Sequence, residues 1–436
     1  TVYSGASPPG LSGARRAVFY PSPMSPPATS KPSLSRRRIL TICAARVFLF
    51  ATFMTVAAAI PLIIKDWGLT AAAAGAIVTS FSIGYALSMF VFAWAADHYG
   101  AKRMTVVSAV AAAATSCVFG FLARDWWTAF FLYGFIGLAQ GGVYTPLVML
   151  LSDEVEPRRR GKTMGWLIAS TSIGYATSLA ASGLGIALGS WRIAFILTGV
   201  LPVVGAIVLI AALAPLPNRI HPRPAETRLT DELLGNRETR LLTAGYVAHS
   251  WELLGMWAWI PAFLAAAFAI KGAAASGAAA SSAYLSGVLH LFGATAAFTM
   301  GRLSDRMGRR PLLMLLAGGG AVLSFGIGWL VHAPPALLVP LALAYAFVCL
   351  GDSPVLTTAL SQTVRPGYLG AALAWRALMG FGAGAIAPLA VGLAFDLTQS
   401  SGAAPSASWG MAFSTLGIGG LLALACAAAL RGYVRE

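Results

Sequence analysis

Arg46, Glu252, Asp352 and Arg376 are ionisable residues set well inside long apolar stretches, and His249 and His290 lie in such stretches too. Charges held among apolar neighbours are costly and usually serve a pathway or a ligand. A guanidinium there suits a carboxylate or another small anion, because it offers paired donors and does not deprotonate. A carboxylate or an imidazole there suits the uptake and release of a proton. Glu252 follows His249 by three residues, so a helix places both on one face. It has no basic residue four positions away on its own helix. Blander roles stay open. Asp352 and Arg376 can pair to join two helices, Arg46 can reach toward lipid headgroups, and either histidine can bond a carbonyl. The run Trp251, Trp257 and Trp259 can line a substrate site or fill the core.

Other chemistry is excluded by what accompanies these residues. No nucleophile–base set or metal-ligand cluster is present, so an enzyme is not expected. Gly318-Gly319-Gly320 lacks the Lys-Ser/Thr of a phosphate loop, which leaves ATP-driven transport without support. Cys43, Cys117, Cys349 and Cys426 are scattered without metal or disulfide spacing. No cofactor is expected.

The elements that must carry these charges are membrane helices. The chain has 436 residues, 58% hydrophobic and 10% charged, against about 25% charged in soluble domains. Twelve apolar runs are long enough to span a bilayer: 39–64, 71–95, 104–123, 127–151, 163–187, 193–214, 241–264, 282–301, 311–331, 335–361, 368–394 and 409–430. An all-α membrane protein follows, since barrel strands would alternate polar and apolar residues. The net charge of +15 invites a nucleic-acid reading, but the basic residues sit in short gaps between runs. Lys65, Arg124, Arg192 and Lys271 fall on one side of the membrane, Arg46 and Arg376 inside spans, and the rest on the other side. The basic side is cytoplasmic. A multi-pass protein with both termini in the cytoplasm is expected, in a bacterial inner membrane, without nucleic-acid partners.

Two of the basic gaps are copies of one another. Gly301-Arg302-Leu303-Ser304-Asp305-Arg306-Met307-Gly308-Arg309-Arg310 joins spans 8 and 9, and a weaker version, Ala93 to Lys102, joins spans 2 and 3. Asp97 and Gly100 match Asp305 and Gly308, and Thr145-Pro146 matches Ser353-Pro354 at the same spacing. Gly161…Trp166 and Gly370…Trp375 follow one residue off that register. Both hairpins lie on one side, so the repeat is parallel, six spans plus six. The expected organisation is a disordered cytosolic tail over 1–37, a bundle over 38–214, a Pro-rich linker over 215–240 and a second bundle with a short tail over 241–436.

The two hairpins, Glu156-Pro157-Arg158-Arg159-Arg160-Gly161 and Trp191-Arg192 together resemble the major facilitator superfamily over about residues 38–431. That resemblance implies two bundles that rock around a shared midplane site lined by spans 1, 4, 7 and 10. It also implies a cytoplasmic gate at Asp97, Gly100, Gly301, Asp305, Arg306, Gly308 and Arg309. Two departures weigh against a drug/proton antiporter. Gly137 stands where span 4 of many members carries Arg before Gln140-Gly141, and Gly174-Tyr175 replaces a span-5 Gly-Pro.

All the charges fall within a slab on the order of 10 Å thick, counted at a helix's rise per residue. The expected substrate and proton pathway is therefore Arg46, Gln140, Tyr144, His249, Glu252, Asp352 and Arg376. The repeat sets Tyr144 opposite Asp352, and Arg46 is the expected substrate ligand. The expectation is a monomeric, proton-coupled symporter of a small organic anion. The alternative is efflux of hydrophobic or cationic compounds, with Glu252 and Asp352 holding the cation. A sensor on the same fold would need a signalling domain for which linker and tail leave no room.

Overall fold

The computed structural model describes residues 34–220, 231–364 and 369–431, without the side chains of residues 157, 158, 161, 231, 232 and 370. The expected tail and much of the expected linker lie outside the described residues. Among the described residues, fifteen α-helices make twelve rods. The first six rods are α1 (Arg36–Leu49) with α2 (Thr55–Trp67), α3 (Ala71–Tyr99), α4 (Ala101–Leu122), α5 (Trp126–Gln140) with α6 (Thr145–Glu154), α7 (Pro157–Ala187) and α8 (Trp191–Leu213). The second six are α9 (Arg237–Ile270), α10 (Ala275–Met307), α11 (Arg309–Ile327), α12 (Pro335–Thr363), α13 (Leu369–Gly384) with α14 (Ala387–Ser400), and α15 (Pro405–Ala429). No strand occurs among the described residues.

Among the described residues, ten rods are long and apolar enough to cross a membrane, so the chain is an integral membrane protein. The other two differ for reasons that bear on the site. The first rod is interrupted at Phe50–Met54. The fifth, α7, is diluted by Ser170, Thr171, Ser178 and Ser182, which bond Arg46, Met54 and Thr55 in and beside that interruption.

Each six-rod bundle packs around its own small residues, and the two meet along α7/α10 and α3/α14. Backbones approach closely there. A Cβ on Gly75 of α3 would sit 2.3 Å from the Pro388 carbonyl oxygen, and one on Gly392 of α14 would sit 2.5 Å from the Ala71 carbonyl oxygen. Only glycine permits this contact, which closes the bundles at the end away from the Gly100 and Gly308 hairpins. That end is called distal below.

The hairpins themselves repeat in structure. Gly100 and Gly308 have φ of 90° and 89°. The basic residue two positions on reaches the C-terminus of the last rod of its own bundle. Lys102 Nζ donates to the carbonyls of Ala214 (2.8 Å) and Leu216 (2.6 Å), and Arg310 Nη2 donates to that of Ala428 (2.8 Å). Cations at helix C-termini satisfy orphan carbonyls and the end of the helix dipole.

Candidate functional site

The interruption in the first rod is where the site begins. Leaving helix at Phe50–Met54 frees backbone groups that must find partners. Side chains from other rods supply them. Gln140 Nε2 donates to the Leu49 carbonyl (2.8 Å), and the Tyr133 hydroxyl donates to that of Phe53 (2.6 Å). Ser178 Oγ accepts from the Met54 amide (3.0 Å). Gln140, expected as a pathway residue, is thus spent on the backbone, and its Oε1 is buried without a partner.

Arg46 lies just before the break and is fully buried. Its Nη1 donates to the Leu167 carbonyl (2.5 Å) and Ser170 Oγ (2.9 Å), and its Nη2 donates to Thr171 Oγ1 (3.0 Å). All three acceptors are on α7. The guanidinium carbon lies 5.1 Å from the Phe50 ring centre and 5.5 Å from that of Tyr144. Nε has no partner.

Arg376, on α13 of the other bundle, is 7% exposed. It packs 4.1 Å over the Tyr246 ring and donates from Nη2 to Thr357 Oγ1 at 3.0 Å. Its Nε and Nη1 are buried without partners. The pairing with Asp352 that the sequence left open does not form. Asp352 Oδ1 lies instead 2.9 Å from His249 Nδ1. Among the described residues, neither Arg46 nor Arg376 has a carboxylate within ion-pairing distance. Asp352 is within electrostatic reach of Arg376 but is engaged by His249.

Glu252 departs from the expected shared path with Arg46. It is buried in the second bundle and accepts from Ser324 Oγ of α11 at 2.6 Å, and Ser324 Oγ is 2.5 Å from the Tyr345 hydroxyl of α12. Gly320 leaves room for the carboxylate, since a Cβ there would lie 2.8 Å from Glu252 Oε1. The carboxylate therefore points into its own bundle, away from the bundle interface. Asp352 also lines a small pocket in the same bundle, with Leu242, Gly245, Ala317 and Leu356 among others.

An aromatic layer contributed by both bundles runs from the Phe50 ring beside Arg46 to Phe381, on the helix that carries Arg376. Phe53, in the interruption, packs against Tyr85 (5.7 Å) and Tyr175 (4.2 Å). Tyr85 meets Phe381 of the other bundle at 5.7 Å, and Tyr175 meets Trp257 at 5.3 Å and His290 at 5.5 Å. Tyr144 is in electrostatic reach of both guanidinium groups. Of the tryptophan run, Trp251 and Trp259 donate to the carbonyls of Thr415 and Pro388, so only Trp257 packs against the other bundle's aromatic residues. Sequence reasoning missed Tyr85, Tyr175 and Tyr246, since a tyrosine in an apolar run carries no mark of the direction it faces. The replacement of Gly-Pro by Gly174-Tyr175 was the one available signal.

The expected gate residues lie at the hairpins. Asp97 ends α3, and Asp305 and Arg306 end α10. Arg309 Nη1 is 2.7 Å from Asp305 Oδ1 and also donates to Ser304 Oγ, while its Nε donates to Gln362 Oε1 of α12 (3.3 Å). Gly301 has open space where a Cβ would stand. The distal end carries a latch the sequence did not reveal. Asp396 of α14 accepts from the Ala71 amide (2.9 Å) and the Ala72 amide (2.7 Å), which caps the N-terminus of α3 across the bundles. Charge-assisted caps of this kind contribute about 1–2 kcal/mol. Asp396→Ala is expected to speed maleimide labelling of an Ala72→Cys reporter by about tenfold, as that energy implies. An unchanged labelling rate removes the latch role.

The Major Facilitator Superfamily model matches residues 42–388. The Bacillus subtilis hexuronate transporter is 26% identical over 47% of this chain and 51% of its own length. The probable 4-methylmuconolactone transporter of Cupriavidus pinatubonensis is 24% identical over 59% of the chain and 60% of its length. The chain thus spans less than two thirds of either relative. The probable sulfoacetate transporter SauU of Cupriavidus necator is 24% identical over 84% of the chain and 89% of its length. Among solved structures, a bacterial homologue of the human lysosomal transporter Spinster superposes with a TM-score of 0.71 at 15% identity, covering 90% of this chain and 95% of that one. The nucleoside transporter NupG does so with 0.70 at 13% identity, covering 90% and 98%. These structures share its fold, and the chain, matched by the family model over most of its length, belongs to the Major Facilitator Superfamily.

Proposed function

We propose that the protein is a secondary transporter that carries a small organic anion by alternating access, with Arg46 and Arg376 at its binding site. The observation that carries this reading is the pair of buried guanidinium groups, one in each bundle, that lack a carboxylate partner. An uncompensated buried charge costs several kcal/mol, so a site that retains two of them is suited to a ligand of opposite sign. The names of the relatives, which include hexuronate, sulfoacetate and cis,cis-muconate carriers, support the same substrate class. In this reading the hairpin side faces the cytoplasm of a bacterium, the protein works as a monomer, and a proton enters with the anion. His249, Asp352 and Glu252 carry the proton, held inside the second bundle next to the site rather than in it. Export of cations has less support, because Glu252 is turned toward Ser324 and Asp352 toward His249.

The test is a thermal-shift screen of purified protein against small carboxylates, sulfonates and organic cations, followed by counterflow in proteoliposomes with each hit. Stabilisation and counterflow by anions alone are expected. Stabilisation confined to cations, or cation counterflow, overturns the reading.

A further inference from the structure

The two arginines restrict the substrate further than a single negative charge. Arg46 is fixed to α7 by three hydrogen bonds, so it cannot swing toward an anion held at Arg376. Arg376 is in turn tied to Thr357 and seated on the Tyr246 ring. Each keeps buried donors unused, Nε in Arg46 and both Nε and Nη1 in Arg376. The two belong to different bundles, yet Tyr144 is in electrostatic reach of both. A carboxylate held at one of them leaves the free donors of the other without a partner. Two acidic groups on one molecule satisfy both.

The material between the arginines fits such a molecule. Among the described residues, the hydroxyls of Tyr85, Tyr144 and Tyr175 have no hydrogen-bond partner. Their rings offer flat apolar faces for a short carbon spacer, and their hydroxyls can donate to acidic oxygens at its ends. We propose that the substrate is a compact dianion, either a dicarboxylate or a carboxylate bearing a second acidic group such as sulfonate. One acidic group rests on Arg46 and the other on Arg376. The ligand then bridges the bundles and offsets the repulsion between two like charges across their interface.

This inference rests on the anion reading above, and its test separates the two. Binding to the purified protein is measured calorimetrically at pH 7.5 for straight-chain dicarboxylates from malonate to suberate, each against its own monomethyl ester, and for sulfoacetate against acetate. The best dianion is expected to bind at least about tenfold more tightly than its monoanionic counterpart, the worth of one charge-assisted contact. Arg376→Gln is expected to abolish that preference, so that on the variant the dianion binds no more tightly than its monoanionic counterpart, within about threefold. Equal binding of dianions and their monoanionic counterparts overturns the dianion inference and leaves the anion reading intact. A preference that survives Arg376→Gln also overturns it. Absence of binding by every anion overturns both.

Discussion

Arg376→Lys is expected to weaken binding of the bridging dianion by about 10- to 100-fold while changing the melting temperature little. Lysine keeps the charge at Arg376 but replaces the planar fork by a single point donor. The loss is one charge-assisted hydrogen bond of a pair, about 1.5–3 kcal/mol. The fold has little to lose there, because among the described residues Arg376 makes one hydrogen bond, to Thr357. Arg46→Lys should behave differently. Arg46 clips α1 to α7 through three hydrogen bonds directly before the break at Phe50–Met54. Losing two of them is expected to lower stability by about 2 kcal/mol and weaken binding as well. The paired measurement, calorimetric affinity and melting temperature for both variants, separates a ligand residue from one that also holds the fold. An Arg376→Lys protein with parental affinity removes Arg376 from the site.

The sequence makes Arg46 the expected ligand, from its depth, its span and the chemistry of a guanidinium, and the structure adds what else each arginine holds. Depth is legible because a long apolar run has a countable length. Partners are not, since they come from rods far away in the chain. Thr171 and Ser170 lie more than a hundred residues from Arg46, and nothing in their types marks them as acceptors rather than packing residues. The break at Phe50–Met54 was hidden for the same reason. Its sequence has no Gly or Pro, and it persists because Gln140, Tyr133 and Ser178 satisfy its backbone. The architecture, by contrast, was written locally. The two basic hairpins, the apolar runs and the repeated Thr145-Pro146 and Ser353-Pro354 steps each declare themselves within a few residues. Asp396 shows the converse limit, since an acid near the end of a span reads as solvated until α3 is seen to begin against it.

Glu252 shows how the direction of a side chain changes a mechanism, and its replacement gives the sharpest functional result. The helix α9 is buried on nearly every side, so no amphipathic stripe told which way Glu252 points. It points to Ser324 and Tyr345, within its own bundle. A carboxylate there does not have to touch the substrate to be coupled to it. His249 stands one turn away on α9 and lies against Asp352 of α12, and Arg376 is within electrostatic reach of Asp352, so protonation in this cluster changes the field at the anion's arginine. Glu252→Gln keeps an oxygen to accept from Ser324 but cannot take up or release a proton. Accumulation of substrate driven by an imposed pH gradient is therefore expected to fall to the level of empty liposomes. Counterflow, which needs only binding and exchange, is expected to stay within about threefold, a change below 1 kcal/mol. Loss of both activities with an unchanged melting temperature would assign Glu252 to substrate binding instead. Accumulation that persists under the gradient would show that the proton travels by another group, and the cluster around Asp352 and His249 would be the next to replace.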